Sequence, residues 1–181
     1  KDVTPVIPSQ GSVGASGDLA PFAHMALPII GEGFVRVDGE VKPTSATDLE
    51  PLRLKTKEGL ALLNGTEGMT AMGVLALHRA RHLVGVADVA CALSVEALMG
   101  SSRPFRPEVH LLRPHPGQAR SAERIASLIS GSEIGSSHAD DFEHAVQDAY
   151  SLRCAPQVHG AVTDTLDHME SVLTREMASV V

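Results

Sequence analysis

The sequence contains no tryptophan, one tyrosine and four phenylalanines in 181 residues. A platform that stacks single-stranded bases needs more aromatic faces than that. A basic surplus is missing too: 15 Lys and Arg stand against 22 Asp and Glu, a formal charge of −7. Binding to duplex nucleic acid needs a cationic footprint, so nucleic acid is not expected as a partner. No apolar run reaches the roughly 18 residues that mark a membrane-spanning helix, so no membrane partner is expected either. There are two cysteines, Cys91 and Cys154, far apart and outside any CxxC spacing. Neither a disulfide framework nor a zinc cluster is indicated, and a reducing, cytoplasmic setting is expected.

What is present is a helical protein. Hydrophobic residues make up 43% of the chain, with few aromatics. Leu, Ala and Val lead, which favours helix packing over a β-sandwich. The length suits one domain. The ends lack an initiating Met, a secretory leader and a helix stop signal, so the sequence reads as a single partial domain from a longer protein.

Residues 1–17 read as loop. Asp18 is a plausible N-cap for a helix carrying Leu19, Phe22, Ala23 and Ala26. In FVRVDGEVKP, residues 34–43, apolar residues alternate around Asp38-Gly39, which predicts a small β-hairpin. A short helix is expected over 53–63, closed by Asn64-Gly65. A long one follows over about 66–99, apolar on most faces and expected to be the most buried element, as in the middle of a bundle or oligomer. Four prolines in 100–118 predict an irregular connection. A helix over about 118–129 comes next, then a polar stretch at 131–144. The final helix begins near Val158, with Val162, Leu166, Met169, Leu173 and Met177 as its apolar stripe, and should pack antiparallel to the long one.

The string GSVGASGDLAP, residues 11–21, admits three readings. Glycine-rich loops bind anions through backbone N–H groups, but neither GxxxxGK[ST] nor GxGxxG fits and no strand is predicted before it. A flexible loop leading to a cap at Asp18 is the plain reading. The third is chemical. If a bend presses the Gly17 nitrogen onto the Ala15 carbonyl carbon, a five-membered ring can close. Gly suits such a strained approach because its Cα is unsubstituted. Loss of the Ser16 hydroxyl as water then leaves a methylidene conjugated to the ring, an electrophile made from backbone alone.

The strings GSVGASGDLAPFAHM (11–25), KEGLALLNGTEGM (57–69), LSVEALMGS (93–101), RPHPGQ (113–118) and VQDAYSLRCAPQVHGAVTDTLDH (146–168) run through the chain in a fixed order. In letters, order and spacing the whole sequence resembles the histidine ammonia-lyases, within the aromatic amino acid lyases. Glu67 stands where many members carry Gln. The resemblance implies a mainly α fold, a long-helix bundle of the lyase/fumarase-like type with the small hairpin near 34–43. It implies a methylidene-imidazolone group formed autocatalytically from Ala15, Ser16 and Gly17, with no metal or external cofactor. Asn64 would hydrogen-bond near that ring as a preorganised amide donor. Arg153 would pair with the substrate carboxylate, where a planar fork outperforms a point charge. Gln147 and Tyr150 would line the same pocket.

The implied reaction is loss of ammonia from L-histidine to give urocanate, in histidine degradation. The substrate amine adds to the methylidene and becomes a better leaving group, a base takes a β-proton, and the C–N bond breaks. The family's tyrosine base belongs to an upstream segment, and further site residues lie downstream, so the fragment alone is expected to be inactive. Self-association is implied, as a homotetramer at full length whose sites are shared between subunits. Ser16 and Asn64 should then be close within one chain, with Tyr150 and Arg153 reaching Ser16 across an interface. Tyrosine or phenylalanine lyases, aminomutases of the same family, and a non-catalytic truncated scaffold are the alternatives. Ala149 favours the histidine branch, because phenylalanine lyases tend to be basic there.

Three weaker signals have plain structural readings. His78 and His82 stand at i, i+4 but lack a third ligand. His138, Asp140, Asp141 and His144 read as a solvated loop before a cation site. Asn64-Gly65-Thr66 is a formal glycosylation sequon, expected to be unused.

Overall fold

The computed structural model describes residues 2–14, 17–138 and 146–179. They fall into two compact units, residues 1–73 with 176–181, and residues 74–175. Each is treated by itself.

In the first unit the expected hairpin forms as β2 (Phe34–Val37) and β3 (Glu40–Pro43), with Phe34 opposite Pro43 and Val37 opposite Glu40. Asp38 and Gly39 have φ of 52° and 87°, the left-handed pair that a two-residue hairpin turn requires. A third strand joins them. Residues 1–17 were expected to be loop, but β1 (Val3–Pro5) pairs antiparallel with β2, Val3 facing Val37. Three residues carry no period of their own; the partner strand supplies the ladder. Helix α1 (Leu19–Ala26) buries Phe22, Val35 of β2 is fully buried, and the Phe22 ring lies over the Cα of Gly68. The helix expected over 53–63 contracts to one turn, α2 (Glu58–Ala61).

Helix α3 (Glu67–Ala97) has the expected length. The second unit is built on it with α4 (Pro107–Leu111), α5 (Pro116–Leu128), α6 (Glu133–Ser137), α7 (Tyr150–Arg153) and α8 (Ala155–Met177). The prolines of 100–118 do not simply break the chain as expected. Pro107 and Pro116 open α4 and α5, because Pro lacks an N–H that a first helical turn leaves unpaired anyway. Val95, Phe105, Ile125, Ile129 and Leu152 form the core. Within it, buried His110 donates from Nε2 to the Pro104 carbonyl at 3.0 Å, and its Nδ1 accepts from the Gln118 amide at 2.9 Å.

Helices α3 and α8 do run antiparallel. Arg81 reaches Asp167, Asp88 reaches His159, and Cys91 Sγ reaches the Leu152 carbonyl. Two expectations concern their faces. Leu75, Val86 and Leu93 of α3 are 60%, 47% and 66% exposed in the single chain, whereas the burial expected of α3 was that of an assembled oligomer. On α8 only Leu166 of the apolar stripe is buried, while Thr163, Asp164 and Asp167 are half-buried. Ion pairs hold this polar edge, while Cys91, Ala92 and Val95 of α3 share the apolar core with Ala155 of α8. Arg81 bridges Asp167 at 2.8 Å and Glu170 at 2.5 Å, and Arg120 bridges Asp167 and Asp164. The Asp167 carboxyl is held below its ordinary range, chiefly by the Arg81 hydrogen bond, against a smaller opposing effect of burial.

Asp88 is the buried hub. Its side chain is 4% exposed and its Oδ1 accepts from Ser121 Oγ at 2.6 Å and from His159 Nδ1 at 2.8 Å. The Asp88 charge, after burial itself, pushes the neighbouring Cys91 thiol up, away from reactive thiolate character.

Helices α5 and α8 touch backbone to backbone. A Cβ on Gly160 would collide with the main chain of Gln118, and one on Gly117 with the Gly160 carbonyl. This contact lets the Gly117 N–H donate to Asp164 Oδ1 at 2.7 Å. Replacing Gly160 by Ala should therefore destabilise the protein by about 1–3 kcal/mol, because the obstructing atoms are main chain and the helices must part. That loss should exceed the gain of up to about 1 kcal/mol that Ala brings to a helix interior. Urea unfolding of G160A checks it; a rise in midpoint would contradict the packing described.

Candidate functional site

Of the residues singled out in the sequence, Ala15 and Ser16 lie outside the described residues, as do Asp140, Asp141 and His144. Gly17 and Asn64 belong to the first unit, and Gln147, Tyr150 and Arg153 to the second.

Gly17 has a φ of 79°, and a Cβ there would collide with the backbone N and O of Gly65. Only glycine fits both the dihedral and the space. The Ala-Ser-Gly segment is thus pinned at its third residue against the Asn64-Gly65 turn. Asn64 Nδ2 donates to the Leu60 carbonyl at 2.9 Å, which leaves the second Nδ2 hydrogen for a further acceptor. Two residues on, Thr66 hydrogen-bonds Glu176, and the Glu67 carboxylate folds over the Cα of Gly65.

Asp18 does something the sequence reading missed. Its carbonyl begins α1 by accepting from the Phe22 N–H at 3.2 Å, but its carboxylate makes no cap bond. Instead Oδ1 accepts from Ser12 Oγ at 2.5 Å and from the Gly14 N–H at 2.8 Å. The two ends of the 12–18 loop are thereby tied together around Ala15-Ser16-Gly17. The signal was available as Ser12 and Asp18 flanking a glycine-rich loop, yet an Asp before an apolar run equally spells a cap.

In the second unit, Tyr150 opens α7 and is 69% exposed. The Arg153 guanidinium carbon lies 4.6 Å from its ring centroid, a cation–π contact. The Arg153 Nε is buried with no hydrogen-bond partner among the described residues. Cys154, one helical turn on, pushes the Tyr150 hydroxyl above its ordinary range, by hydrogen bonding first and by charge second; the Arg153 cation opposes it. The phenol is therefore held protonated. Tyr150 and Cys154 line one wall of a groove of about 910 Å³, with Gln157, Arg113, His115 and Asp164 around it. Gln147 is exposed. Asp148 is anchored instead, accepting from the Ser101 N–H at 2.8 Å.

The described residues hold no cluster of three or more metal-ligating side chains, and no described helix is long and apolar enough to cross a membrane. His78 and His82 are both exposed.

The Asp18 clamp yields a pH prediction. Ser12 first and the Gly14 N–H second lower this exposed carboxyl below its ordinary value of 3.8. A depressed folded value means that loop closure is complete above the ordinary range and is lost as pH falls through the folded value. An NMR titration of the Gly14 amide should show a midpoint below 3.8. That titration should vanish in D18N; an unchanged profile in the variant would rule the clamp out.

Residues 1–181 match the aromatic amino acid lyase family from end to end. Histidine ammonia-lyase of Sorangium cellulosum is 57% identical over 98% of this chain, which spans 35% of that protein. Among solved structures, tyrosine aminomutase of Streptomyces globisporus superimposes with a TM-score of 0.78 at 41% identity, over 98% of this chain and 37% of that one. Histidine ammonia-lyase of Trypanosoma cruzi does so with a TM-score of 0.74 at 38% identity, over 98% and 32%. The chain spans about a third of the length of these relatives. With a match over its whole length, the chain belongs to the aromatic amino acid lyase family.

Proposed function

We propose that this chain is the central segment of a histidine ammonia-lyase, converting L-histidine to urocanate and ammonia. The observation that carries the reading is the seat of Gly17 against Gly65, beside Asn64. A ring closed through the Gly17 nitrogen needs a residue without Cβ in a tight bend, and Gly17 is such a residue held in such a bend. A methylidene-imidazolone formed from Ala15, Ser16 and Gly17 fits this seat and supplies an electrophile for the substrate amine.

The chain's own residues supply the rest of its share. Asp18 and Ser12 keep the loop closed before and after the segment. Asn64 offers its remaining amide hydrogen to negative charge that develops near Gly17. Arg153, with an unpartnered Nε, is built to receive a carboxylate in its planar fork. Tyr150 presents a protonated hydroxyl beside that fork, and Gln147 lines the same side. A complete site requires residues of the longer protein, so the segment alone is inactive. A homotetramer in which Tyr150 and Arg153 meet Ser16 across a subunit interface, working in the cytoplasm without a metal, completes the proposal.

The likeness to a tyrosine aminomutase supports a second reading, in which the same residues serve a tyrosine or phenylalanine lyase or an aminomutase. Ala149, the residue before Tyr150, argues for the histidine branch. Offering L-histidine, L-tyrosine and L-phenylalanine to the natural-length protein separates these: urocanate marks the first reading, and a β-amino acid marks a mutase.

Ser16→Ala in that protein should abolish urocanate production, because the methylidene carbon forms only when the serine hydroxyl leaves. Intact-mass measurement should find the unsubstituted protein two waters lighter than its sequence, and S16A not so. Full mass in the unsubstituted protein would establish the non-catalytic scaffold, and more than a trace of urocanate from S16A would refute the ring.

A further inference from the structure

We propose that the second unit carries a binding site for a small tetrahedral oxyanion, of the phosphate or sulfate class, between α3, α5 and α8. The site is independent of the lyase reading and shares no residue with the loop at Gly17 or with Tyr150 and Arg153. It is a cavity of about 360 Å³ whose lining includes Arg81, Arg120, Arg124, Ser121 and Thr163.

Three guanidinium groups and one carboxylate, Asp88, face this space. The carboxylates that pair with the arginines, Asp164, Asp167 and Glu170, are not part of the lining; they take one terminal nitrogen each of Arg81 and Arg120. Each guanidinium carries five N–H donors, so these pairs leave most of the fork unspent. Two details show the surplus. Arg81 Nε is buried and has no hydrogen-bond partner among the described residues. Arg124 Nη1 comes no nearer than 3.9 Å to Asp88 Oδ2, which is an ion pair but beyond hydrogen-bonding reach.

Asp88 Oδ1 is taken by Ser121 and His159, and its Oδ2 stays 3.9 Å from Arg124 Nη1, so the carboxylate pairs with the Arg124 fork by charge without accepting a hydrogen bond from it. A buried N–H without an acceptor calls for one. Planar N–H forks with donors to spare match the oxygens of a tetrahedral anion better than a single water.

The third observation is a missing methyl. Gly85 of α3 lines the cavity, and a Cβ there would sit 3.0 Å from Arg124 Nη1. The guanidinium lies across bare helix backbone, in a seat that a side chain would crowd. Glycine inside a helix costs stability relative to alanine. What the sequence gains here is room for the Arg124 head group beside the cavity.

The test is isothermal titration of the natural-length protein with sodium phosphate, against sodium chloride at matched ionic strength. One saturable phosphate per chain is expected. Sulfate should compete and acetate should not. Arg124→Gln, at a half-exposed residue outside the Arg81 and Arg120 pairs, should weaken binding at least tenfold. Arg79→Gln, on α3 but outside the cavity, should leave it unchanged. G85A favours the helix yet should weaken binding severalfold, which separates loss of the site from loss of the fold. Absence of saturable binding, equal weakening by R124Q and R79Q, or displacement by acetate as readily as by sulfate would each overturn the site.

Discussion

A carboxylate with almost no access to water cannot be left unpaired, and in the second unit that constraint falls on Asp88. Breaking a buried charge pair by removing one partner typically costs about 3–5 kcal/mol. Ser121 comes to it from α5 and His159 from α8, so the register of three helices is fixed at one atom, Oδ1. The glycine contact between α5 and α8 then closes the same triangle, because only bare backbone lets Ser121 and His159 approach together. Ion pairs from Arg81 and Arg120 extend the arrangement along α8. Hydrocarbon is secondary on this side: the α8 stripe is mostly outside, and the packed core lies around Phe105 and Ile125.

The faces left uncovered are as informative as the packed ones. Leu75, Leu83, Val86 and Leu93 make a long apolar surface on α3. A single soluble chain rarely leaves so much hydrocarbon in water. Its all-round apolar sequence was expected to mean burial, and within one copy of this segment it does not. The polar edge of α8 spends its charges inside the unit, while the greasy faces of α3 and α8 are turned outward. The chain spans about a third of the length of its relatives.

Most elements were legible because they depend on neighbours close in sequence. The hairpin follows from alternation around Asp38-Gly39, and α3 and α8 follow from long periodic runs. Their antiparallel pairing was legible as well. The elements that escaped depend on distant partners or on ambiguous punctuation. β1 is three residues that become a strand only beside β2. The prolines of 100–118 spell interruption until the structure shows two of them opening helices. Asp18 is the cap residue of α1 through its backbone, yet its carboxylate serves as a clamp, because Ser12 and Gly14 offer it donors that the helix does not.

By itself the sequence determined the family, through motifs whose letters, order and spacing recur together, and it marked Ala15, Ser16, Gly17, Asn64, Tyr150 and Arg153 as the residues to watch. Composition and periodicity also determined a helical class, since those signals are local and additive along the chain. Only the tertiary structure decided that Gly17 is seated on Gly65, that Asn64 spends one amide hydrogen on Leu60, and that Cys154 holds the Tyr150 hydroxyl. It alone decided which arginines keep donors to spare around the Asp88 hub. The reason is physical. Periodicity states which side of a helix is apolar, but the partner of a hydrogen bond is chosen by whichever group three-dimensional packing brings within about 3 Å.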